Sequence, residues 1–389
     1  MVNSVHRYLL SICIPTYNRS AQIRSSLENY RTIIVNNNLQ NKIEICVSDN
    51  STDGLTEPIL KQYAIQGIFK LTYVKNEKNL GYDKNVIKAL SLGSGRYLHL
   101  LSDEDRYDEH SLLELISILE KEKPDCILLT MHLKKHVTAD LGIFKILKGN
   151  ILPKLFSLKG KGMMFFGLLS CVLIRHDFYL IRHDFYLDFI KQFEVNRFYG
   201  LGYLHVPIYL WALRKSKKII VYGKDYRVRK AINKNEGKLV IAFPSEILDL
   251  VCKNYFQTIT LSSETGIIDD TSYMIFKKNY LNFVLYILFE NRTFIYPDIF
   301  QRENIRIRAT TAEFLQNYSL NNLQKMLVSA YIGLLYTSWI PYHLIYRVWV
   351  LYRVYIKKDV EVMDIHASIK NFLSGANEFD TLAERTYEM

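Results

Sequence analysis

Apolar runs and amphipathic segments alternate through the first 131 residues, and this alternation constrains the fold more than any other feature of the chain. Continuous apolar strands that alternate with helices predict βαβ units and a mostly parallel sheet flanked by helices. The predicted strands are Leu9–Pro15, Ile43–Ser48, Phe69–Lys75, Tyr97–Leu101 and Cys126–Met131. The predicted helices between them are Ser20–Asn36, Leu55–Gln66, Asp83–Leu92 and Glu109–Lys121.

Polar residues follow three of these strands directly. They form the segments Pro15–Asn18, Ser48–Ser51 and Ser102–Asp105. Ligands of open α/β sheets bind beyond the carboxyl ends of the strands. We therefore expect these three segments to form one site.

Asp103 and Asp105 are the candidate metal ligands of that site. Two carboxylates that flank one residue at a strand end can face the same cation, and Mg²⁺ and Mn²⁺ prefer such hard oxygen ligands. The competing interpretation is structural, because Asp105 or Asp108 can cap the helix that follows. One acid can also cap the helix while the other binds metal.

Four segments, in this order and spacing, resemble family 2 glycosyltransferases of the GT-A fold, in particular the bacterial O-antigen and capsule branch with its abequosyltransferase-like enzymes. The segments are Ser11–Arg19, Val47–Gly54, Asn79–Asn85 and Gly95–Asp105. The resemblance extends over about residues 8–235. It implies inverting transfer of a sugar from a nucleotide-diphospho-sugar to a hydroxyl of a lipid-linked oligosaccharide acceptor, with Mn²⁺ or Mg²⁺ as cofactor.

The resemblance also implies which residues contact the donor. Asp49 is expected at the base or ribose, although the turn-rich stretch Asp49–Gly54 favours an Asx-turn whatever the function. Lys84 is expected near the phosphates, although a solvated helix face is the alternative. The donor-site candidates are Pro15, Thr16, Tyr17, Asn18, Asp49, Asn79, Gly81, Lys84, Ser102 and Asp103, with Asp103 and Asp105 also as metal ligands.

The catalytic base is the point at which the chain departs from the family pattern. Many relatives carry Glu-Asp at the start of a helix that matches Gly202–Arg214, and no acid stands at that position. His205 is the nearest titratable residue, and its imidazole suits base catalysis near neutral pH. Glu194 and Asp188 are the other candidates, and a core histidine is the structural alternative for His205.

The C-terminal region, residues 241–389, is predicted to be helical and aromatic-rich, separate from a catalytic domain over residues 1–240. Lys325 is followed by 21 uncharged residues. When Tyr346–Lys358 is placed on a helix, one face is basic and the opposite face is aromatic and aliphatic. This pattern predicts membrane-surface helices at 326–358 on an anionic membrane. A packed core helix and a spanning segment are the alternatives. We expect a cytoplasmic protein bound peripherally to the inner face of the cytoplasmic membrane.

Charge limits the other function classes. The tail 359–389 has seven acidic and two basic residues and therefore a net charge of −5. Because the whole chain has a net charge of +11, residues 1–358 carry +16. A basic nucleic-acid-binding protein is one alternative, but Asp103, Glu104 and Asp105 would repel phosphate unless metal is bound. A non-catalytic GT-A-like scaffold is another, because the Glu-Asp motif is missing and IRHDFYL is repeated at 174–187. The sequence indicates no oligomeric state.

Overall fold

The computed structural model describes residues 7–129, 146–147, 150–157, 166–176, 189, 192–224, 226, 249–290 and 304–318. The chain divides into two units. The first comprises Met1–Ile241 and Leu250–Val284, and the second comprises Ala242–Asp249 and Leu285–Met389. The division of function between residues 1–240 and 241–389 stays a prediction.

The described elements follow the predicted alternation closely in the first half of the chain. The strands are β1 (Leu10–Thr16), β2 (Ile43–Asp49), β3 (Lys70–Lys75), β4 (Tyr97–Leu100), β5 (Cys126–Leu129), β6 (Ile146–Leu147), β7 (Val172–Arg175) and β8 (Ile219–Tyr222). The α-helices are α1 (Ser20–Asn36), α2 (Thr56–Gln66), α3 (Tyr82–Ser91), α4 (Glu109–Glu122), α5 (Leu152–Leu155), α6 (His205–Lys215), α7 (Phe256–Glu264), α8 (Asp270–Glu290) and α9 (Asn304–Gln316).

The strands form one eight-stranded sheet in the order β3-β2-β1-β4-β7-β5-β8-β6. The neighbours β3, β2, β1 and β4 run parallel, as do β5 and β8. Strand β7 is antiparallel to β4 and β5, and β6 is antiparallel to β8. The predicted fold class, α/β with a mostly parallel sheet flanked by helices, is confirmed.

Burial explains why the strands read as continuous apolar runs. Every residue of β1 and β2 is buried, because both faces of the sheet are covered. The helices instead bury one stripe each. In α4 the buried apolar residues recur at helical spacing, at Leu112, Leu115, Ile116 and Leu119. All five cysteines are free and buried.

Residues Leu169–Cys171 form a 3₁₀ turn, and β7 begins at Val172. The start of one predicted helix differs from the structure. The helix predicted from Gly202 begins at His205. Gly200 and Gly202 have φ values of 86° and 73°, a left-handed conformation that cannot continue a right-handed helix.

The described residues of the C-terminal region are mostly helical and include α7, α8 and α9. Within the second unit, the Thr310 hydroxyl donates a hydrogen bond of 3.2 Å to an Asp249 carboxylate oxygen. The predicted membrane-surface helices at 326–358 and the acidic tail 359–389 lie outside the described residues. Among the residues that are described, no helix combines the length and the apolar character needed to cross a membrane.

Candidate functional site

The predicted site residues of the first, second and fourth strands meet at the carboxyl edge of the sheet. Thr16 and Asp49 are opposite each other in the β1–β2 ladder. The Thr16 hydroxyl donates a hydrogen bond of 2.8 Å to Asp103 Oδ2, across the boundary between β1 and the segment after β4. The structure therefore brings Thr16, Asp49 and Asp103 together, as the strand ends predicted.

Asp103 is a buried carboxylate in contact with a cation. Its residue is 5% exposed, and Arg19 Nη1 lies 3.2 Å from Oδ1. Arg19 also pairs with the exposed side chain of Glu104. Burial raises the pKa of Asp103, while the Thr16 hydrogen bond and the Arg19 charge oppose that rise. Arg19, which sequence reasoning gave no role, thus partly neutralises the acidic segment.

Asp105 is held by a residue that sequence reasoning did not single out. The Ser170 hydroxyl donates a hydrogen bond of 2.7 Å to Asp105 Oδ2 and accepts one of 3.0 Å from the backbone N–H of Ser102. Asp108, not Asp105, caps α4, because its carboxylate accepts a 3.0 Å hydrogen bond from Ser111 N. The capping alternative therefore applies to Asp108 and not to Asp105.

The two carboxylate oxygens of Asp49 have different environments. Oδ1 accepts a hydrogen bond of 2.8 Å from Ser51 N, which is the predicted Asx-turn. Oδ2 is buried and has no hydrogen-bond partner, and Lys75 Nζ lies 3.9 Å away. A buried acceptor without a donor is costly. Asp49 thus shapes the turn with one oxygen and can accept a ligand hydrogen bond with the other.

Asn79 and Gly81 shape the turn between β3 and α3. The side-chain oxygen of Asn79 accepts hydrogen bonds from Gly81 N at 2.9 Å and from Asn50 Nδ2 at 3.1 Å. Gly81 has a φ of 79°, which glycine adopts without steric cost. These contacts attach the turn to the segment that follows β2, and a nucleotide contact at either residue stays a prediction.

Asn76 and Asn85 extend this network, and sequence reasoning did not single out Asn76. The Asn76 amide nitrogen lies 2.8 Å from Asn50 Oδ1 and 3.2 Å from Asn85 Oδ1. Asn85 donates to the Thr16 carbonyl at 3.1 Å. The available signal was positional, since Asn76 directly follows β3 as Asn50 directly follows β2.

The loop after β1 combines a buried proline, a structural asparagine and an exposed ring. Pro15 is buried within β1. Asn18 has a φ of 51°; its N–H donates to Ser51 Oγ at 2.9 Å, and its side-chain oxygen accepts from Thr52 N at 2.8 Å. Tyr17 is 46% exposed, so its ring is accessible for stacking.

Lys84 lies on the exposed side of the first turn of α3. Its Nζ is 5.2 Å from the centroid of the Tyr199 ring, within the range of a cation–π contact. Lys84 thus lies on a solvent-exposed helix face beside an aromatic ring, as the alternative to a phosphate contact predicted. The phosphate contact of Lys84 stays a prediction.

The three candidate bases differ in what the structure shows. His205 is 1% exposed, and the rings of Tyr82, Tyr203 and Tyr209 surround it. Burial lowers the pKa of His205 to about 4, so its imidazole is neutral at pH 7. Hydrogen bonding to the backbone of Phe166 and Gly167 opposes the effect of burial on its pKa. Glu194 has a side chain that is 76% exposed. Asp188 lies outside the described residues.

The donor set at Asp103 and Asp105 fits a hard divalent cation. Among the described residues, no three His, Cys, Asp or Glu side chains form a metal-binding group. Mg²⁺ is commonly bound by one or two carboxylates together with substrate phosphates, and two carboxylates one residue apart match that pattern. Asp103 and Asp105 thus fit a metal site in which the oxygens of a bound diphosphate supply further ligands.

Part of the chain is similar to a known protein family. Residues 11–172 match the family described as Glycosyl transferase family 2. Abequosyltransferase RfbV of Salmonella typhimurium (strain LT2) is 37% identical over 119 residues, 29% of this chain and 33% of that protein. An uncharacterized glycosyltransferase, MJ1057 of Methanocaldococcus jannaschii, is 30% identical over 106 residues, 27% of this chain and 35% of that protein. The matches thus span about a third of the length of each relative.

Solved structures show more distant likeness. The mannosyltransferase PcManGT from Pyrobaculum calidifontis, in complex with GDP-Man and Mn²⁺, has a TM-score of 0.48 and 16% identity, covering 97% of this chain and 90% of that chain. TarS 1–349 of S. aureus, in complex with UDP, has a TM-score of 0.47 and 15% identity, covering 80% and 81%. Residues 11–172 are thus similar to family 2 glycosyltransferases, and this stretch includes the strand ends that meet at the carboxyl edge of the sheet.

Proposed function

We propose that the protein is an inverting glycosyltransferase that moves a sugar from a nucleotide-diphospho-sugar to a hydroxyl of a lipid-linked glycan acceptor. One observation carries the proposal. The β1–β2 register and the Thr16–Asp103 hydrogen bond bring Asp49 and the Asp103–Asp105 segment to one edge of the sheet. A nucleoside diphosphate has groups that these residues can bind. Its ribose hydroxyls can donate hydrogen bonds to Asp49, and its phosphates can share a cation with Asp103 and Asp105.

Asp49 Oδ2 is the proposed acceptor for the nucleoside. It is a buried oxygen without a hydrogen-bond donor, and ribose hydroxyls and base N–H groups are donors. Tyr17 is exposed at the same edge of the sheet and offers a ring for stacking on the base. The asparagine network holds the backbone around these two residues and thereby fixes the shape of the site.

Asp103 and Asp105 are the proposed residues for holding Mn²⁺ or Mg²⁺. When bound, the ion would neutralise the charge that develops on the departing nucleoside diphosphate. Thr16 orients Asp103, and Ser170 orients Asp105. A single displacement by the acceptor hydroxyl breaks the bond between the anomeric carbon and the diphosphate, and inverts that carbon.

His205 is the base that we propose to test first, because its imidazole is neutral at pH 7 and it stands at the start of α6, the helix that carries an acid in many relatives. It would take the proton of the acceptor hydroxyl, and His205→Ala should then lower kcat far more than donor affinity. Because the pKa of His205 lies at about 4, loss of activity through its protonation is expected near pH 4 and not between 5.5 and 7.5. Equal kcat in His205→Ala and wild type would transfer the role to Glu194 or Asp188.

Surface polysaccharide synthesis, of O-antigen or capsule, is the proposed setting. The similarity to an abequosyltransferase over 119 residues supports it. A lipid-linked acceptor stays in the bilayer, so we propose that the enzyme binds the cytoplasmic membrane face peripherally, through the basic and aromatic segment 346–358. The acidic edge of the sheet and the family match both favour a sugar-nucleotide site over a nucleic-acid site.

A donor screen tests the proposed activity. UDP-, CDP-, GDP- and dTDP-sugars are each added with Mn²⁺, and the Tm of the protein is measured. A ligand at 100 times its Kd adds about 2.7 kcal/mol to the free energy of unfolding. The stabilising donor is then assayed for metal-dependent hydrolysis and for transfer to lipid-linked acceptor. A protein that is stabilised by none of the four donors and hydrolyses none contradicts the proposal.

Membrane attachment needs a separate test. Binding to liposomes should rise with their anionic lipid content and fall with salt, because each basic residue near such a surface contributes about 1 kcal/mol. It should weaken when four bases are changed to Gln, namely Arg347, Arg353, Lys357 and Lys358. Retention that resists salt and carbonate would indicate a spanning segment instead. Full activity on lipid-linked acceptor without liposome binding would contradict peripheral attachment.

A further inference from the structure

Asp83 makes three backbone hydrogen bonds to a segment 117 to 121 residues away. One carboxylate oxygen accepts from Gly200 N at 2.8 Å and from Gly202 N at 3.1 Å, and the other accepts from Leu204 N at 3.1 Å. Asp83 is 4% exposed and lies in the first turn of α3. A buried carboxylate thus holds the chain directly before His205.

The two glycines make this arrangement possible. Gly200 and Gly202 both have left-handed φ values, and their neighbourhoods leave open space where a Cβ would be. Alternating left-handed residues turn successive N–H groups toward one side of the chain and form a concavity that binds anions. In this protein the anion is the protein's own carboxylate.

The same carboxylate lies at the N-terminus of α6, which begins at His205. A negative charge there interacts favourably with the helix dipole and with the unpaired N–H groups of the first turn. Burial raises the pKa of Asp83, and the three N–H donors oppose that rise. The sequence has no acid at the start of α6, and Asp83 of α3 therefore places a carboxylate there.

The first turn of α3 also reaches the donor side of the site. Asn85, two residues after Asp83, donates to the carbonyl of Thr16, and Thr16 holds Asp103. Lys84, between them, lies over the ring of Tyr199. One helical turn thus contacts both the proposed donor segment and the segment before His205.

From these contacts we infer that Asp83 is a positioning residue, which fixes segment 199–204, and through it His205, relative to the donor edge of the sheet. The inference rests on the proposed function. It predicts that loss of the Asp83 carboxylate affects the transfer step while the donor still binds.

The test uses Asp83→Asn in the full-length protein. The substitution keeps one acceptor oxygen but directs an NH₂ group at backbone N–H donors. Amide hydrogen exchange at Gly200, Gly202 and Leu204 should accelerate by at least about 10-fold, the factor that about 1.4 kcal/mol of lost protection produces. The Kd of the nucleotide sugar should change by less than about 3-fold, and kcat should fall by at least about 10-fold.

Asp269→Asn is the matched control. Asp269 accepts a hydrogen bond from the backbone N–H of Ser272 at the start of α8, so the same chemical change is made at another helix start. This control should leave exchange at the three amides and kcat at wild-type values. Asp83→Ala provides a second variant, because it removes the carboxylate without adding a donor, and its exchange and kcat should change in the same direction.

Three outcomes overturn the inference. Unchanged exchange at the three amides would mean that Asp83 does not hold the segment. Accelerated exchange with wild-type kcat would mean that the segment does not position the transfer step. A rise in donor Kd as large as the fall in kcat/KM would place Asp83 in donor binding. Wild-type protein that binds no donor and transfers no sugar would instead contradict the proposed function, and the exchange experiment would still test the Asp83 contact.

Discussion

Ser170 Oγ lies 2.7 Å from Asp105 Oδ2, and this hydrogen bond joins the turn before β7 to the acidic segment after β4. The carbonyl of Ser170 accepts hydrogen bonds from the Tyr226 hydroxyl at 2.9 Å and from the ring of His99, whose Nε2 is 3.1 Å away. Ser170 is buried, so it has little freedom to move. The orientation of Asp105 is therefore set by a residue 65 positions further along the chain.

Ser170→Ala should weaken metal binding. Residues that orient a metal ligand typically change affinity or activity by about 10- to 100-fold when they are lost. We expect the Kd for Mn²⁺, measured by titration in the presence of nucleoside diphosphate, to rise by at least about 10-fold.

Ser216→Ala is the control for that measurement, because Ser216 is also a buried serine with hydrogen bonds but lies after α6. Equal Mn²⁺ affinity in Ser170→Ala and wild type would show that Asp105 needs no support from Ser170, or that Asp105 is not a ligand.

Substitution of Asp105 should lower activity, whereas substitution of Asp108 should lower stability. Asp105→Ala should lower kcat by at least about 100-fold, or roughly 2.7 kcal/mol of barrier, with a Tm near that of wild type. Asp108→Ala removes the cap of α4 and should lower the free energy of unfolding by about 1 kcal/mol while kcat is kept. Wild-type kcat in Asp105→Ala, or full activity in excess EDTA, would contradict the proposed metal role.

Asp49→Asn should weaken donor binding. Asn keeps an oxygen for the hydrogen bond from Ser51 N but loses the negative charge of the buried carboxylate. We expect the Kd of the nucleotide sugar to rise by at least about 10-fold, because hydrogen bonds to charged groups contribute about 1.5–3 kcal/mol.

Asp53→Asn is the matched change, since Asp53 makes the same kind of turn with Leu55 N on the exposed surface, and it should bind donor as wild type does. Equal losses of affinity in both variants would indicate a general effect on the loop.

His205 should make stability depend on pH. Burial lowers its pKa to about 4 in the folded protein, while an unfolded histidine titrates near 6.5. The folded state therefore binds fewer protons, so this contribution is complete above pH 6.5 and is lost as the pH falls from 6.5 through 4. At pH 5 the loss is about 2 kcal/mol.

His205→Phe removes this titration within a cage of tyrosine rings, those of Tyr82, Tyr203 and Tyr209. The measurement is urea unfolding of both proteins at pH 8, 7, 6 and 5, where pH 8 serves as the reference with both states neutral. Wild type should lose more stability than the variant between pH 7 and 5. Parallel curves would show that His205 is not buried in the neutral form.

Local signals in the sequence were sufficient for the first five strands of the sheet. The apolar runs that predicted β1 to β5 are buried strands, because a sheet covered on both faces requires apolar residues at every position. Asp49 and Asp103 were expected to lie at one edge because they follow such strands, and the structure places them there. Asx-turns and helix caps were predicted for the same reason, since the atoms involved are at most a few residues apart.

Contacts between residues far apart in the chain decided the rest. No pattern near Asp105 points to Ser170, and none near Leu204 points to Asp83, because each pair is joined only after the strands have assembled. The chemistry of His205 was also decided at this level: the sequence suggested a base that titrates near neutral pH, and burial among three rings lowers its pKa to about 4. The sequence by itself thus determined the strands β1 to β5, the helices between them and the expectation that the acidic residues after these strands lie at one edge. Only the tertiary structure decided how those acids are oriented and what their neighbours do to their charge, because hydrogen bonding and desolvation depend on distances that folding creates.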